Sequence, residues 1–173
     1  MDLAAHQRIL LGLLRSSYQV SEDDDEYFHR VANSKDLQEA RGNIYLWRVY
    51  VLERTCVLTV ALLRQRRGLA PALQAFIQRH NISPFREFQP LAFLASLANH
   101  PDHLVASVSQ FELALMKARE GDPACRVVSW QVEPSGVLKS LAQDAPLDPE
   151  PPSGAYVTRI CRDLPFLFEI ETA

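Results

Sequence analysis

The sequence predicts an α+β fold: an N-terminal helical bundle over residues 1–121, followed by a small antiparallel β-sheet over residues 122–173. Two observations predict it. Through residues 37–65 the apolar positions recur at helical spacing (Leu37, Ala40, Ile44, Trp47, Val51, Leu58, Leu62), and Tyr50, Val57, Val60 and Leu63 widen that stripe toward the whole circumference. Beyond Pro123 the period drops to two. Val128, Trp130 and Val132 alternate with Val127, Ser129 and Gln131, and Leu164, Phe166, Phe168 and Ile170 alternate with Pro165, Leu167, Glu169 and Glu171. A helix apolar nearly all round is expected inside a core. It is not expected to cross a membrane, because its densest part, residues 49–63, is shorter than the ~20 apolar residues a bilayer requires and contains Glu53 and Arg54.

The remaining elements follow from local signals. Leu3, Ile9, Leu10, Leu13 and Leu14 give an amphipathic first helix; Asp2 and His6 stand where a signal peptide would carry positive charge. Ser21 followed by Asp24 resembles a capping box, and Asp23, Asp24, Asp25 and Glu26 fit the electropositive start of a second helix. Ser34 can cap the long central helix, with Gly42 as a point of bending. Arg64, Arg66 and Arg67 suit its C-terminal end, and Gly68 is the residue expected to turn left-handed. Pro71, and Pro84 or Pro90, are placed to open helices over residues 72–79 and 91–98. Asp102 caps a helix running to about Glu120, which Gly121, Asp122 and Pro123 stop. In the C-terminal region strands are expected at residues 126–132, 137–141, 155–161 and 164–171, as two hairpins joined by a proline-rich connection.

At 173 residues the chain can bury a real core, and 47% hydrophobic with 23% charged residues excludes general disorder. A formal net charge of -3 argues against a nucleic-acid binder. The basic residues are mostly arginine, whose planar fork suits paired bonds with carboxylates and so fits acidic peptide partners or, equally, a GC-rich genome. Cys56, Cys125 and Cys161 are odd in number and widely spaced with no C-x-x-C pair, which points to a reducing cytoplasm rather than a disulfide-stapled secreted domain.

Signals for chemistry are sparse. His100-Pro101-Asp102-His103 gathers two histidines and a carboxylate, but Asp102 is accounted for as a cap and Pro101 as a helix opener; His6, His29 and His80 are isolated. Cys56 lies in the most apolar stretch, where a thiol is inert; Cys125 and Cys161 fall on candidate strands that could face each other, and are read as a packed or fortuitous pair rather than a redox couple. Glu53, Arg54 and Glu112 interrupt apolar faces and are read as charges pairing where helices cross. Six glycines and no glycine-rich loop leave no phosphate cradle. No catalytic or metal residue is assigned. What remains is the sheet, whose edge can accept an extended peptide through main-chain hydrogen bonds. On the strand over residues 155–162 the residues expected to meet such a peptide are Tyr156, Thr158, Arg159 and Arg162, the two arginines reading acidic side chains or else standing solvated.

Two segments together carry a resemblance: residues 40–68, with Ile44-Tyr45-Leu46-Trp47-Arg48, and residues 104–120, with Phe111-Glu112-Leu113-Ala114. With the closing residues 149–172 they resemble the partner proteins, of the HvfC, MbnC and TglI kind, that accompany multinuclear non-heme iron oxidative enzymes in making ribosomally synthesised, modified peptides. The tyrosine-and-arginine element carries two residues more than the family pattern. The resemblance implies a cytoplasmic, non-catalytic subunit that forms a heterodimer with the iron enzyme and presents its precursor peptide, partly by strand addition to the C-terminal sheet. It implies no cofactor in this chain, since iron and the oxidative chemistry on peptide cysteines belong to the partner enzyme, and neither a nucleic acid nor a membrane as partner. Within the family, the system that modifies a C-terminal cysteine on the way to 3-thiaglutamate is the first expectation and a methanobactin-type system the second. The rival from another class is a DNA-binding or regulatory protein, since helices followed by a β-hairpin imitate a winged helix; an independent metalloenzyme using His100 and His103 is the third.

Overall fold

A computed structural model describes residues 2–79 and 88–172, in eight α-helices and a three-stranded antiparallel sheet of order β1-β2-β3. The fold class is α+β, helices first and sheet last. The chain forms two compact units, residues 1–49 and 50–173, so the expected boundary at 121/122 falls inside the second. His80 and Pro84 lie outside the described residues.

In the first unit, α1 (Leu3–Leu14) is capped by the Asp2 carboxylate, which accepts from the Ala5 N–H, and α2 (Glu26–Ala32) by Asp25, which accepts from the Tyr27 N–H. Asp24 is not a helix cap. Its carboxylate ties the preceding loop, accepting from the Ser21 N–H and hydroxyl and from the Tyr18 hydroxyl at 2.8–3.0 Å. α3 (Lys35–Thr55) begins where Ser34 accepts from the Leu37 N–H. Leu13, Phe28 and Leu37 are buried together, with Ile9, Leu10, Tyr18 and Val31 around them, and the Arg41 guanidinium donates to the Leu13 carbonyl at the end of α1.

The long central helix is not continuous. It breaks at Cys56 (φ -100°, ψ 56°) into α3 and α4 (Val57–Gln65), whereas Gly42 lies undisturbed within α3. Thr55 contributes, since its hydroxyl bonds back to the Val51 carbonyl, a contact that bends helices. Nor is α3 enclosed all round, because Leu46, Trp47 and Tyr50 are at least half exposed. α4 is the buried helix, with Val60, Ala61, Leu62 and Leu63 all inside. At its end Arg67, not Gly68, takes the left-handed conformation (φ 55°), and the Gly68 N–H closes the turn on the Leu63 carbonyl.

α5 (Leu69–Arg79) and α6 (Gln89–Leu97) carry Pro71 and Pro90 in their first turns. α7 (His103–Arg119) starts from Asp102, which accepts from the Leu104 N–H, and ends at Gly121 with φ 93°, a conformation open to glycine. β1 (Arg126–Val132) agrees with the expected strand. The expected strand at 137–141 is instead α8 (Pro134–Ala142). Glu133 caps it by accepting from the Ser135 and Gly136 N–H groups, and Pro134 occupies the first helical position, so turn-like residues initiate a helix rather than a hairpin. β2 (Ser153–Ile160) pairs antiparallel with β1 on one side and with β3 (Phe168–Thr172) on the other. The expected strand from 164 begins only at Phe168, because residues 162–167 form turns. The register of β1 and β2 shifts near Gly154, where a Cβ would stand 2.9 Å from the Tyr156 ring.

Cys125 and Cys161, just before β1 and just after β2, form a disulfide with Cα atoms 4.4 Å apart, which overturns the expectation of unpaired thiols. The Arg126↔Ile160 register brings those two positions side by side. Cys56 is free and fully buried; burial, and the nearby Glu112 charge, push its thiol pKa up, so it is inert. No helix among the described residues is long and apolar enough to cross a membrane.

Candidate functional site

In the second unit, α7 lies across one face of the sheet. The Phe111 ring meets Trp130 of β1 at 6.0 Å and Phe168 of β3 at 5.0 Å, both edge-on. Val128, Trp130, Thr158 and Ile160 under it are buried, and the Trp130 indole N–H donates to the Thr158 hydroxyl at 2.9 Å. Phe168 and Ile170 on the outermost strand stay only half buried. Beside them runs a groove of about 590 Å³, walled by the start of α4, by Leu115, Met116 and Arg119 of α7 and by Leu138 and Lys139 of α8.

Glu112 sits at the base of this groove, 5% exposed. The helix break at Cys56 leaves the N–H groups of Leu58 and Thr59 at the start of α4, where helical partners are missing, and the two Glu112 carboxylate oxygens accept from them at 2.9 Å each. Burial raises its pKa, against the lowering effect of those N–H donors. The expected pairing of Glu112 with arginine is therefore replaced by helix capping from another helix. Glu53 instead pairs with Arg64, and the Arg54 guanidinium lies 5.4 Å from the Tyr50 ring centre.

Main-chain availability differs between the two sheet edges. β2, the strand expected to receive a peptide, is the central strand and is paired on both sides, so it cannot take another. Of the four residues placed there, Thr158 is fully buried under the Trp130 bond, and Tyr156 lies on the same sheet face. Arg159 lies on the opposite face, in an ion pair with Glu169 of β3, and Arg162 is exposed in the turn beyond β2. They do not form one surface. At the β1 edge the Ser129 carbonyl already accepts from the Ser107 hydroxyl at 2.8 Å. β3 pairs with β2 alone, and no hydrogen bond reaches its outer edge among the described residues.

The His100–His103 segment serves local structure: the His100 Nδ1 accepts from the Asp102 N–H at 3.1 Å, and Asp102 also pairs with Arg66 at 3.4 Å. Among the described residues no group of three His, Cys, Asp or Glu side chains is arranged to hold a metal.

No family model, no curated protein and no solved structure matches this chain.

Sequence reasoning missed the groove because two of its walls were misread. With 137–141 taken as a strand there is no α8, and with 37–65 taken as one helix there are no orphan N–H groups for Glu112 to cap. The signal for the second was present. Glu112 is an acid on the apolar stripe of α7 between Phe111 and Leu115, a position a carboxylate holds only when it finds donors.

Proposed function

We propose that this chain is a non-catalytic partner subunit: it binds a multinuclear iron oxidative enzyme in the cytoplasm and recruits that enzyme's ribosomally made precursor peptide. The observation that carries the peptide-binding half is the open edge of β3 beside an apolar groove. A strand with unpaired N–H and C=O groups takes up an extended segment by extending the sheet, and pockets at every second side chain supply selectivity. The receiving strand is β3 rather than β2. The enzyme-binding half rests on the resemblance of residues 40–68 and 104–120, two segments that the Glu112 bonds to Leu58 and Thr59 join in space. Iron and the oxidation step belong to the partner.

Co-expression with an iron enzyme and a short precursor peptide from neighbouring genes tests this. The expected result is a co-purifying heterodimer and a mass change in the peptide that needs both proteins. A peptide modified by this chain alone, or an enzyme fully active without it, would sink the reading.

A further inference from the structure

The groove beside β3 specifies what kind of peptide fits it, an inference that rests on the partner-subunit reading above. We infer that β3 receives an extended segment whose groove-facing residues are two apolar side chains and an acidic one.

The geometry of the sheet sets the spacing. β3 presents Phe168 and Ile170 to the groove, while Glu169 and Glu171 point to the other face. A strand added outside β3 places its own alternate residues, ~6.6 Å apart, over the same groove. Those side chains land between β3 and the walls formed by Leu115, Met116 and Leu138. Phe168 and Ile170 stay half buried although Phe111 of α7 reaches Phe168, so apolar surface on the outer strand is left to cover.

Charge sets the acid. The charged residues lining the groove are Glu112, Arg119 and Lys139. Both oxygens of the Glu112 carboxylate accept from the Leu58 and Thr59 N–H groups. Arg119 and Lys139 are both exposed, and neither has an ion-pair partner among the described residues. A carboxylate on the added strand meets two cations from two different helices. Arg159, which the sequence offered for this role, is on the opposite face and already paired with Glu169.

The probes are three synthetic peptides, acetylated and amidated, titrated against the full-length chain by calorimetry. The first reads Thr-Leu-Thr-Val-Thr-Glu-Thr; the second has Lys for Glu; the third is the first with N-methyl groups at alternate backbone nitrogens. The acidic peptide is expected to bind about tenfold tighter than the basic one, since it gains two exposed ion pairs that turn repulsive on reversal. N-methylation is expected to abolish binding. In the double variant Arg119→Glu with Lys139→Glu, both exposed positions that leave the core untouched, the preference inverts. Equal binding of the acidic and basic peptides, with loss on N-methylation, overturns the acidic preference and leaves the partner-subunit reading standing. Binding that survives N-methylation, or no binding by a chain that still forms the heterodimer, overturns the β3 site itself. A concentration-dependent dimer that the acidic peptide cannot dissociate assigns the groove to a second copy and also overturns it.

Discussion

Replacing Glu112 with glutamine separates the capping role of this carboxylate from its bulk. The wild-type side chain accepts two backbone hydrogen bonds at 2.9 Å from a helix start that has no other partners for those donors. Hydrogen bonds to a charged acceptor contribute roughly 1.5–3 kcal/mol each, and a buried donor left unmade costs roughly 1–3 kcal/mol. Glutamine keeps one acceptor and turns an NH₂ toward the second N–H, so one bond becomes a clash of donors. Removing a buried charge returns part of its desolvation cost. The net expectation is a loss of about 1–3 kcal/mol at pH 7, read in urea unfolding as a lower midpoint with an unchanged slope. The pH dependence gives an independent sign. Burial holds the Glu112 pKa above its ordinary value of 4.5, so the folded chain keeps this proton to higher pH than the unfolded chain. Its contribution is full below 4.5 and declines as pH rises through the folded value, a slope the glutamine variant lacks. The gap between the two proteins therefore narrows as pH rises above 4.5 and through the folded value. An unchanged midpoint at pH 7 would refute the capping account, and a gap that widens with pH would refute the dominance of burial over the two N–H donors.

Four further outcomes follow. Cys125→Ser with Cys161→Ser opens a loop of 36 residues and is expected to cost roughly 3–4 kcal/mol, with thiol alkylation and mass spectrometry first establishing that the native chain has a single reactive equivalent, Cys56, after unfolding. Thr158→Val strands the buried Trp130 indole N–H and should lose about 1–3 kcal/mol by chemical denaturation, whereas a neutral result would mean the bond at 2.9 Å adds nothing. Asp24 has its pKa lowered, first by the Ser21 N–H and then by the Tyr18 hydroxyl, so its contribution is present above its ordinary value of 3.8 and disappears as pH falls through the folded one; Asp24→Asn should flatten the acid limb of a thermal-stability profile. Arg159→Ala, at an exposed ion pair on the face away from the groove, should shift stability by less than about 1 kcal/mol and leave acidic-peptide affinity unchanged; a large loss of affinity would return the site to β2.

Helix caps with a nearby side chain were legible in the sequence. Ser34 and Asp102 each cap the helix their position announced, and Asp24 misled because Asp25 beside it offered the same chemistry one residue on. The period-two run of β1 was legible for the same reason, since alternation over 126–132 reports a sheet with one buried face. What depends on contacts distant in sequence was not. The break at Cys56 has no proline or glycine to mark it; it is sustained by Glu112, more than fifty residues away. Val137–Leu141 is too short for periodicity to separate a helix from a strand, and the Glu133 cap decided it. The strand order that moved the peptide edge from β2 to β3 lies wholly in tertiary pairing.

The α8 segment has one more consequence. It leaves the sheet at Val132 and returns at Ser153, and the Glu133 N–H bonds the Pro152 carbonyl at 2.9 Å, so the two ends of this excursion are pinned together. Such a closed excursion is a module by topology. Cut at its neck and replaced by a tight turn, it would leave β1 and β2 as a plain hairpin still clasped by Cys125–Cys161, while the α4 face it covers and one wall of the groove would be laid open. Sheet and groove are in this sense separable by topology within one unit, while the buried Val137, Leu138 and Leu141 of α8 tie the excursion to the core it covers.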